Sequence, residues 1–272
     1  MAAIIGAMKI SPILKSRQRL HRTLLMLAVN LMVVLAPLAA SADQALVAVA
    51  SNFIGCARVL AASFEQQSEH SVTLTFGSTG QLHAQVVHGA PYDLLLAADQ
   101  QRPRRLEEAS KAVVGSRFTY AVGQLVLVQQ SLSAGSLDGA SRLKVNDFSR
   151  LAMANPALAP YGVASVETLE GLGVAEQVRD KIILGENVGQ AFAMLATGNV
   201  DVALVAESQL LGSTMPLATW RVPAELHSPI RQDLVLLRHG EDNAAARAFH
   251  QYLRSDQAAE IIARHGYRAA VD

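Results

Sequence analysis

One cysteine, one tryptophan and an aromatic share of 5% leave this 272-residue chain poor in residues that staple or stack. With Cys56 alone, no intramolecular disulfide is possible. An unpaired thiol in an oxidising compartment is usually a buried, inert one. The eight histidines form no H-x-x-H or H-E-x-x-H pair, so no metal-cation site is expected. No G-x-S-x-G elbow is present, and the S-x-x-K match at Ser141–Lys144 has no KTG or SDN beside it. A secreted serine hydrolase using Ser78 or Ser141 would also need a His–acid pair, and no known spacing supplies one. The expectation is a protein that is not an enzyme and carries no cofactor.

Charge is uneven along the chain. Residues 1–22 hold Lys9, Lys15, Arg17, Arg19 and Arg22 and no acid. An apolar stretch, residues 23–40, follows, and Ala40-Ser41-Ala42 then offers small residues where a signal peptidase reads. This order describes a secretory signal peptide over 1–42, cleaved before Asp43 and directing export. The rival reading is a membrane anchor, for which the apolar run is near the lower length limit. Phe53-Ile54-Gly55-Cys56 imitates a lipoprotein acylation box but lies well past the apolar segment, behind a better cleavage site. Removing the leader leaves 18 basic and 23 acidic residues, a net charge of −5. That balance argues against a nucleic-acid partner.

The remaining residues alternate. Ala45–Ala50, Val72–Phe76 and Tyr92–Ala97 read as strands, with helices over Gly55–Gln67 and Gln81–His88 between them. Such alternation predicts a mainly parallel sheet flanked by helices. Thr119–Gln129 is long enough to cross between two lobes. Strands at Leu151–Ala154, Lys181–Leu184 and Val200–Ala206 then alternate with helices at Val163–Leu172 and Val188–Thr197. Ser131–Ser141 reads as a surface loop, and Ile230–Leu237 as the return crossing. Two helices, Ala244–Leu253 and Gln257–His265, close the chain, the latter stopped by Gly266. The α/β architecture expected has two lobes, 43–122 with 234–272 and 123–233, joined by two extended crossings.

The strand-to-helix junctions carry the chemistry. They read Ser51-Asn52, Gly77-Ser78-Thr79-Gly80, Pro160-Tyr161-Gly162 and Glu186-Asn187-Val188-Gly189. None contributes Lys or Arg. Helix starts leave N–H groups unpaired and carry the positive end of the dipole, so they bind anions. Ser, Thr and Asn before helices are also ordinary caps, and any one junction alone reads more readily that way. Four around one cleft would suit a small multivalent oxyanion, at the carboxyl ends of strands where α/β folds bind ligands.

Seven segments resemble the periplasmic molybdate-binding proteins of ABC importers, the ModA family: VAVASNF (47–53), FGSTGQL (76–82), GAPYDLLLAADQ (89–100), GSRFTYAVGQLVL (115–127), ANPALAPYG (154–162), ENVGQAF (186–192) and PIRQDLVLL (229–237). They run through most of the chain after the leader, in the family order. The resemblance implies a two-lobed periplasmic binding protein fold of type II. It implies a monomer that captures molybdate or tungstate and delivers it to a membrane permease. Ser51 and Asn52 match the first ligand pair, with Asn52 as an added donor. Thr79 matches a hydroxyl donor with Ser78 beside it, and Tyr161 and Val188 match positions that present main-chain N–H groups. Another branch contacts its ligand through a tyrosine side chain at the position of Ala206, so that contact is missing here. The alternative on the same fold is sulfate, phosphate or another small anion.

Overall fold

The computed structural model describes residues 43–131, 135–136 and 138–269. The expected signal peptide and its Ala40-Ser41-Ala42 exit lie outside the described residues. No described helix is long and apolar enough to cross a membrane.

Strand β1 (Gln44–Ala50) runs through a 3-10 turn, Ser51–Phe53, into α1 (Ile54–Glu65). Then come β2 (Ser71–Gly77), α2 (Thr79–Val87), β3 (Leu94–Leu96), α3 (Gln101–Glu108) and β4 (Phe118–Gly123). Next are β5 (Leu125–Gln130), β6 (Gly135–Ser136), α4 (Gly139–Val145), β7 (Leu151–Ala154), α5 (Pro160–Gly171) and α6 (Ala175–Val178). After β8 (Ile182–Gly185), α7 (Val188–Ala196), β9 (Val202–Ala206) and β10 (Leu217–Arg221), the chain ends with β11 (Ile230–Leu236), α8 (Ala244–Tyr252) and α9 (Asp256–Arg264).

Two sheets form, in the orders β2-β1-β3-β11-β4 and β6-β10-β5-β9-β7-β8. Each has a parallel centre: β1 lies between β2 and β3, and β7 between β8 and β9. Each also has antiparallel strands, β11 against β3 and β4 in one and β5 against β9 and β10 in the other. The mixture follows from connectivity. A chain that leaves a lobe by one strand and returns by its neighbour must run the two in opposite directions.

The expected crossing Thr119–Gln129 breaks at Gln124, with β4 in the first sheet and β5 in the second. The expected return crossing does not cross. β11 lies wholly in the first sheet, its first residue, Ile230, already opposite Gly123. The return is the segment ahead of it. The register slips between Gln232 and Asp233, a β-bulge.

Burial explains the helices. On α1, Cys56, Ala57, Leu60, Ala61 and Phe64 are buried, whereas Val59 is 44% exposed. The apolar stripe therefore runs beside Val59 rather than through it. Phe64 meets Phe249 of α8 edge-on at 5.2 Å, within one apolar cluster on the first sheet. Each buried side chain of this size contributes about 1.5–3 kcal/mol. Burial also pushes the Cys56 thiol well up, keeping it neutral. Helix α5 starts at Pro160, ahead of the expected Val163, because proline fits the first helical position. The Ser131–Ser141 stretch contains β6 and opens α4, so it is more than a loop. Asp93 accepts from the Leu46 N–H at 2.7 Å, and Asp99 from the Arg102 N–H at 2.9 Å. Asp99 thus holds the first turn of α3, whereas Asp93 braces strand β1 and is not a cap.

Candidate oxyanion-binding site

The helix starts converge. Ser51, Asn52, Ser78, Thr79, Tyr161 and Val188 line one cavity together with Ala50, Ala98, Ala159 and Pro160. Its atom-free space is about 180 Å³, mouth included. No lining residue carries a charge. Charged groups stand in an adjoining groove, where Asp99, Arg102, Glu167 and Arg231 lie on its wall.

Counting the donors at each start shows what is left for a ligand. In α2, Ser78 is the cap: its hydroxyl accepts from the Gln81 N–H at 3.3 Å and donates to Gln81 Oε1 at 2.9 Å. The Gly80 N–H donates to the Leu158 carbonyl at 2.8 Å. Thr79 N–H is left, and so is the Thr79 hydroxyl proton, because Oγ1 accepts from the Ala98 N–H at 3.0 Å. In α5, Pro160 has no N–H and Gly162 bonds Ala159, which leaves Tyr161 N–H. In α7, the Asn187 side chain caps Gln190, which leaves Val188 and Gly189. These remaining groups have no partner among the described residues, and neither does the Ser51 hydroxyl. A cation would meet only donors and positive dipole ends. An anion would meet hydrogen bonds worth about 1.5–3 kcal/mol each.

Two expected roles look different once the geometry is seen. Asn52 directs its amide away from donor duty, with Nδ2 donating to Gln232 Oε1 at 2.8 Å and to the Tyr267 hydroxyl at 3.0 Å. Both amide protons are then engaged, so the Asn52 side chain braces the loop and is no added donor. Ser78 is occupied as a cap in the same way. The Tyr161 side chain turns inward, its hydroxyl 3.4 Å from Gln232 Nε2. Burial pushes the pKa of the Tyr120, Tyr161 and Tyr267 hydroxyls upward, keeping all three neutral. Ala206 is buried at the end of β9 and does not line the cavity.

The lobes meet around the cavity. Besides Gly80 with Leu158, Arg102 Nη2 donates to the Ala157 carbonyl at 3.3 Å and Gln81 Nε2 to Glu186 Oε2 at 3.4 Å. The Ser208 hydroxyl donates to the Asn52 carbonyl at 2.9 Å. The sequence reading included Gly189 in its fourth junction but missed Ser208, Gln232 and Tyr267. A polar pair inside the buried strand IRQDLVLL was the available signal for Gln232. Neither the Ser78 nor the Ser141 hydroxyl bonds a histidine among the described residues, so no hydrolase dyad forms.

Two facing α/β sheets with an oxyanion-sized cavity between their helix starts define a solute-binding protein. The chain belongs to the bacterial extracellular solute-binding protein family, whose model matches residues 45–268, and within it to the ModA group. It is 41% identical over 230 residues to the molybdate-binding protein ModA of Rhodobacter capsulatus, covering 85% of this chain and 90% of that one. It is 43% identical over 232 residues to ModA of Azotobacter vinelandii, covering 84% and 91%. The solved periplasmic molybdate-binding protein of Azotobacter vinelandii superposes with a TM-score of 0.78 at 34% identity, over 84% of this chain and all of that one. A sulfate-binding protein of Mycobacterium tuberculosis, at 17% identity and a TM-score of 0.67, shares the fold.

Proposed function

We propose that this protein captures molybdate, and tungstate with it, for delivery to the permease of an ABC transporter. The observation that carries the reading is the uncharged cavity, walled by helix starts whose Thr79, Tyr161 and Val188 N–H groups have no other partner among the described residues. The ModA relatives supply the ligand class. Two hydroxyls, from Ser51 and Thr79, complete the cage. The protein binds and releases without chemical change, as befits a solute-binding protein and not an enzyme.

Capture works by closure of the two lobes. Ser51 and Thr79 belong to one lobe, Tyr161 and Val188 to the other, so the full donor set exists only when the lobes meet. The lobes bend at Gly123–Gln124 and ahead of Ile230. We set the second point ahead of the expected 233/234 boundary, supported by the pairing of β11 with β4 from Ile230 onward. The protein works as a monomer in the periplasm, after cleavage of residues 1–42.

Calorimetry of the purified 43–272 protein against molybdate, tungstate, sulfate and phosphate tests the assignment. Molybdate and tungstate should bind tightly and sulfate weakly. Tightest binding of sulfate or phosphate would transfer the protein to the alternative ligand class. Intact mass of the exported protein should start at Asp43; retained residues 23–40 or a lipid on Cys56 would overturn the processing.

A further inference from the structure

We propose that Gln232, which does not line the anion cavity, is a positioning residue that sets the cavity's size and thereby its choice of anion. The inference rests on the oxyanion-receptor reading above. Gln232 is fully buried in β11, beside the bulge at Gln232/Asp233. Bulges re-aim side chains, and this one lies where the two lobes join. Its Oε1 accepts from Asn52 Nδ2 at 2.8 Å and lies 3.2 Å from the Tyr120 hydroxyl. Its Nε2 donates to the Tyr161 hydroxyl at 3.4 Å.

One amide therefore holds the Ser51-Asn52 turn of the first lobe and the α5 start of the second. Both are walls of the cavity. The packing around the amide is tight: a Cβ on Gly123 would lie 2.7 Å from Gln232 Nε2 and would overlap the Tyr161 hydroxyl. Only glycine lets the tyrosine and the amide meet there. Asn52 is fixed from its other side as well, its carbonyl accepting from Tyr267 at 2.8 Å and from Ser208 of the second lobe at 2.9 Å. One buried amide ties Asn52 to Tyr161, so the two walls are held at one separation. A hydrogen-bonding cage at fixed separation favours anions of one radius, since a smaller one cannot reach both walls. Without the Gln232 bridge the walls are no longer held at that separation, and the selection between the larger and the smaller anion weakens.

The experiment compares wild type with Gln232→Leu, which keeps the volume and removes every hydrogen bond. Molybdate and sulfate affinities are measured by calorimetry, with thermal unfolding of the ligand-free proteins alongside. The ratio of molybdate to sulfate affinity should shrink by roughly 10-fold or more, as loss of one to two neutral bonds implies. Tyr161→Phe, which leaves the core filled, should move the ratio the same way by a smaller factor. The double variant should be no worse than Gln232→Leu alone, because the two act through one contact. If Gln232→Leu does not fold, the Tyr161→Phe ratio decides. Equal loss of both affinities, leaving the ratio unchanged, overturns the inference while leaving the receptor reading intact. A wild type that binds neither anion overturns both.

Discussion

The Gly80 N–H donates to the carbonyl oxygen of Leu158 at 2.8 Å, and a Cβ on Gly80 would sit at 2.8 Å from that same oxygen. This bond joins the first turn of α2 to the segment ahead of α5, across the cleft. It needs a residue without a side chain, since Gly80 is helical and its conformation alone does not require glycine. Gly80→Ala should keep the lobes from meeting fully at this point. Molybdate affinity should fall by roughly 10-fold or more, taking about 1–3 kcal/mol for the unmade contact. Ligand-free melting should change little, because each lobe keeps its own core. Calorimetry paired with small-angle scattering checks this: the liganded variant should stay more open than liganded wild type.

Thr79 and Ser51 test the side-chain half of the cage. Thr79→Ala removes a hydroxyl donor and also leaves the Ala98 N–H without its acceptor. Binding should weaken by roughly 10- to 150-fold, the scale of one hydrogen bond to a charged group. Thr79→Ser should restore most of it. Ser51→Ala should weaken binding over the same range, with less effect on stability because its hydroxyl caps nothing. Wild-type affinity in Thr79→Ala would place the ligand elsewhere.

Anion choice should also appear in thermal stability. A ligand that binds only the folded state stabilises it in proportion to the logarithm of its concentration over Kd, about 2.7 kcal/mol at a hundredfold excess. Molybdate and tungstate should raise the melting temperature together, and sulfate at equal concentration should raise it much less. Equal shifts by all three anions would end the molybdate assignment.

Much of this was readable beforehand, for identifiable reasons. β1, β7 and β9 are short apolar runs of strand length that become buried strands, and helix α9 was marked by Gly266, at a φ of 80°. All four helix starts were visible as Ser, Thr, Asn, Pro and Gly clusters. What stayed hidden depends on distant partners. Helix α3, QRPRRLEE, offers an apolar spacing of only Pro103 and Leu106. Strand β10 is recognisable through its pairing with β5 more than through its own LATWR. The bracing role of Asn52 needs Gln232 and Tyr267, 180 and 215 residues away, and no local pattern reports on them.

The pH response should separate folding from binding. His250 is held below its ordinary value of 6.5, first by burial, against a hydrogen bond to the Ser116 carbonyl at 2.7 Å that acts the other way. His83 is lowered too, by burial and then by Arg102. A histidine whose folded pKa is depressed takes up protons more readily when unfolded. Stability is therefore intact above about pH 6.5 and falls as pH drops below it. The melting temperature should decline between pH 7.5 and 5.5. His250→Gln should flatten part of that decline, and molybdate affinity should stay nearly constant over the range because no lining residue titrates there. A decline unchanged in His250→Gln would remove His250 from the account.

Val188 separates main-chain from side-chain recognition most sharply, because of where it sits. It is the first residue of α7, directly after the Asn187 cap. Val188→Ala keeps the N–H and removes only methyl groups, so binding should change by no more than a few-fold. Val188→Pro removes the N–H. Proline is well tolerated at the first helical position, where its fixed φ suits the helix and no intrahelical bond is lost. The helix should therefore survive, and far-UV circular dichroism should match wild type. Molybdate affinity should nevertheless drop by roughly 10- to 150-fold, since one donor to a charged ligand is gone. Tyr161→Phe belongs with Val188→Ala for molybdate itself, because the tyrosine also offers its main-chain N–H and keeps it. Loss of binding in Val188→Ala and Tyr161→Phe would mean that side chains hold the anion, and a folded Val188→Pro that binds molybdate as wild type does would remove the Val188 N–H from the cage.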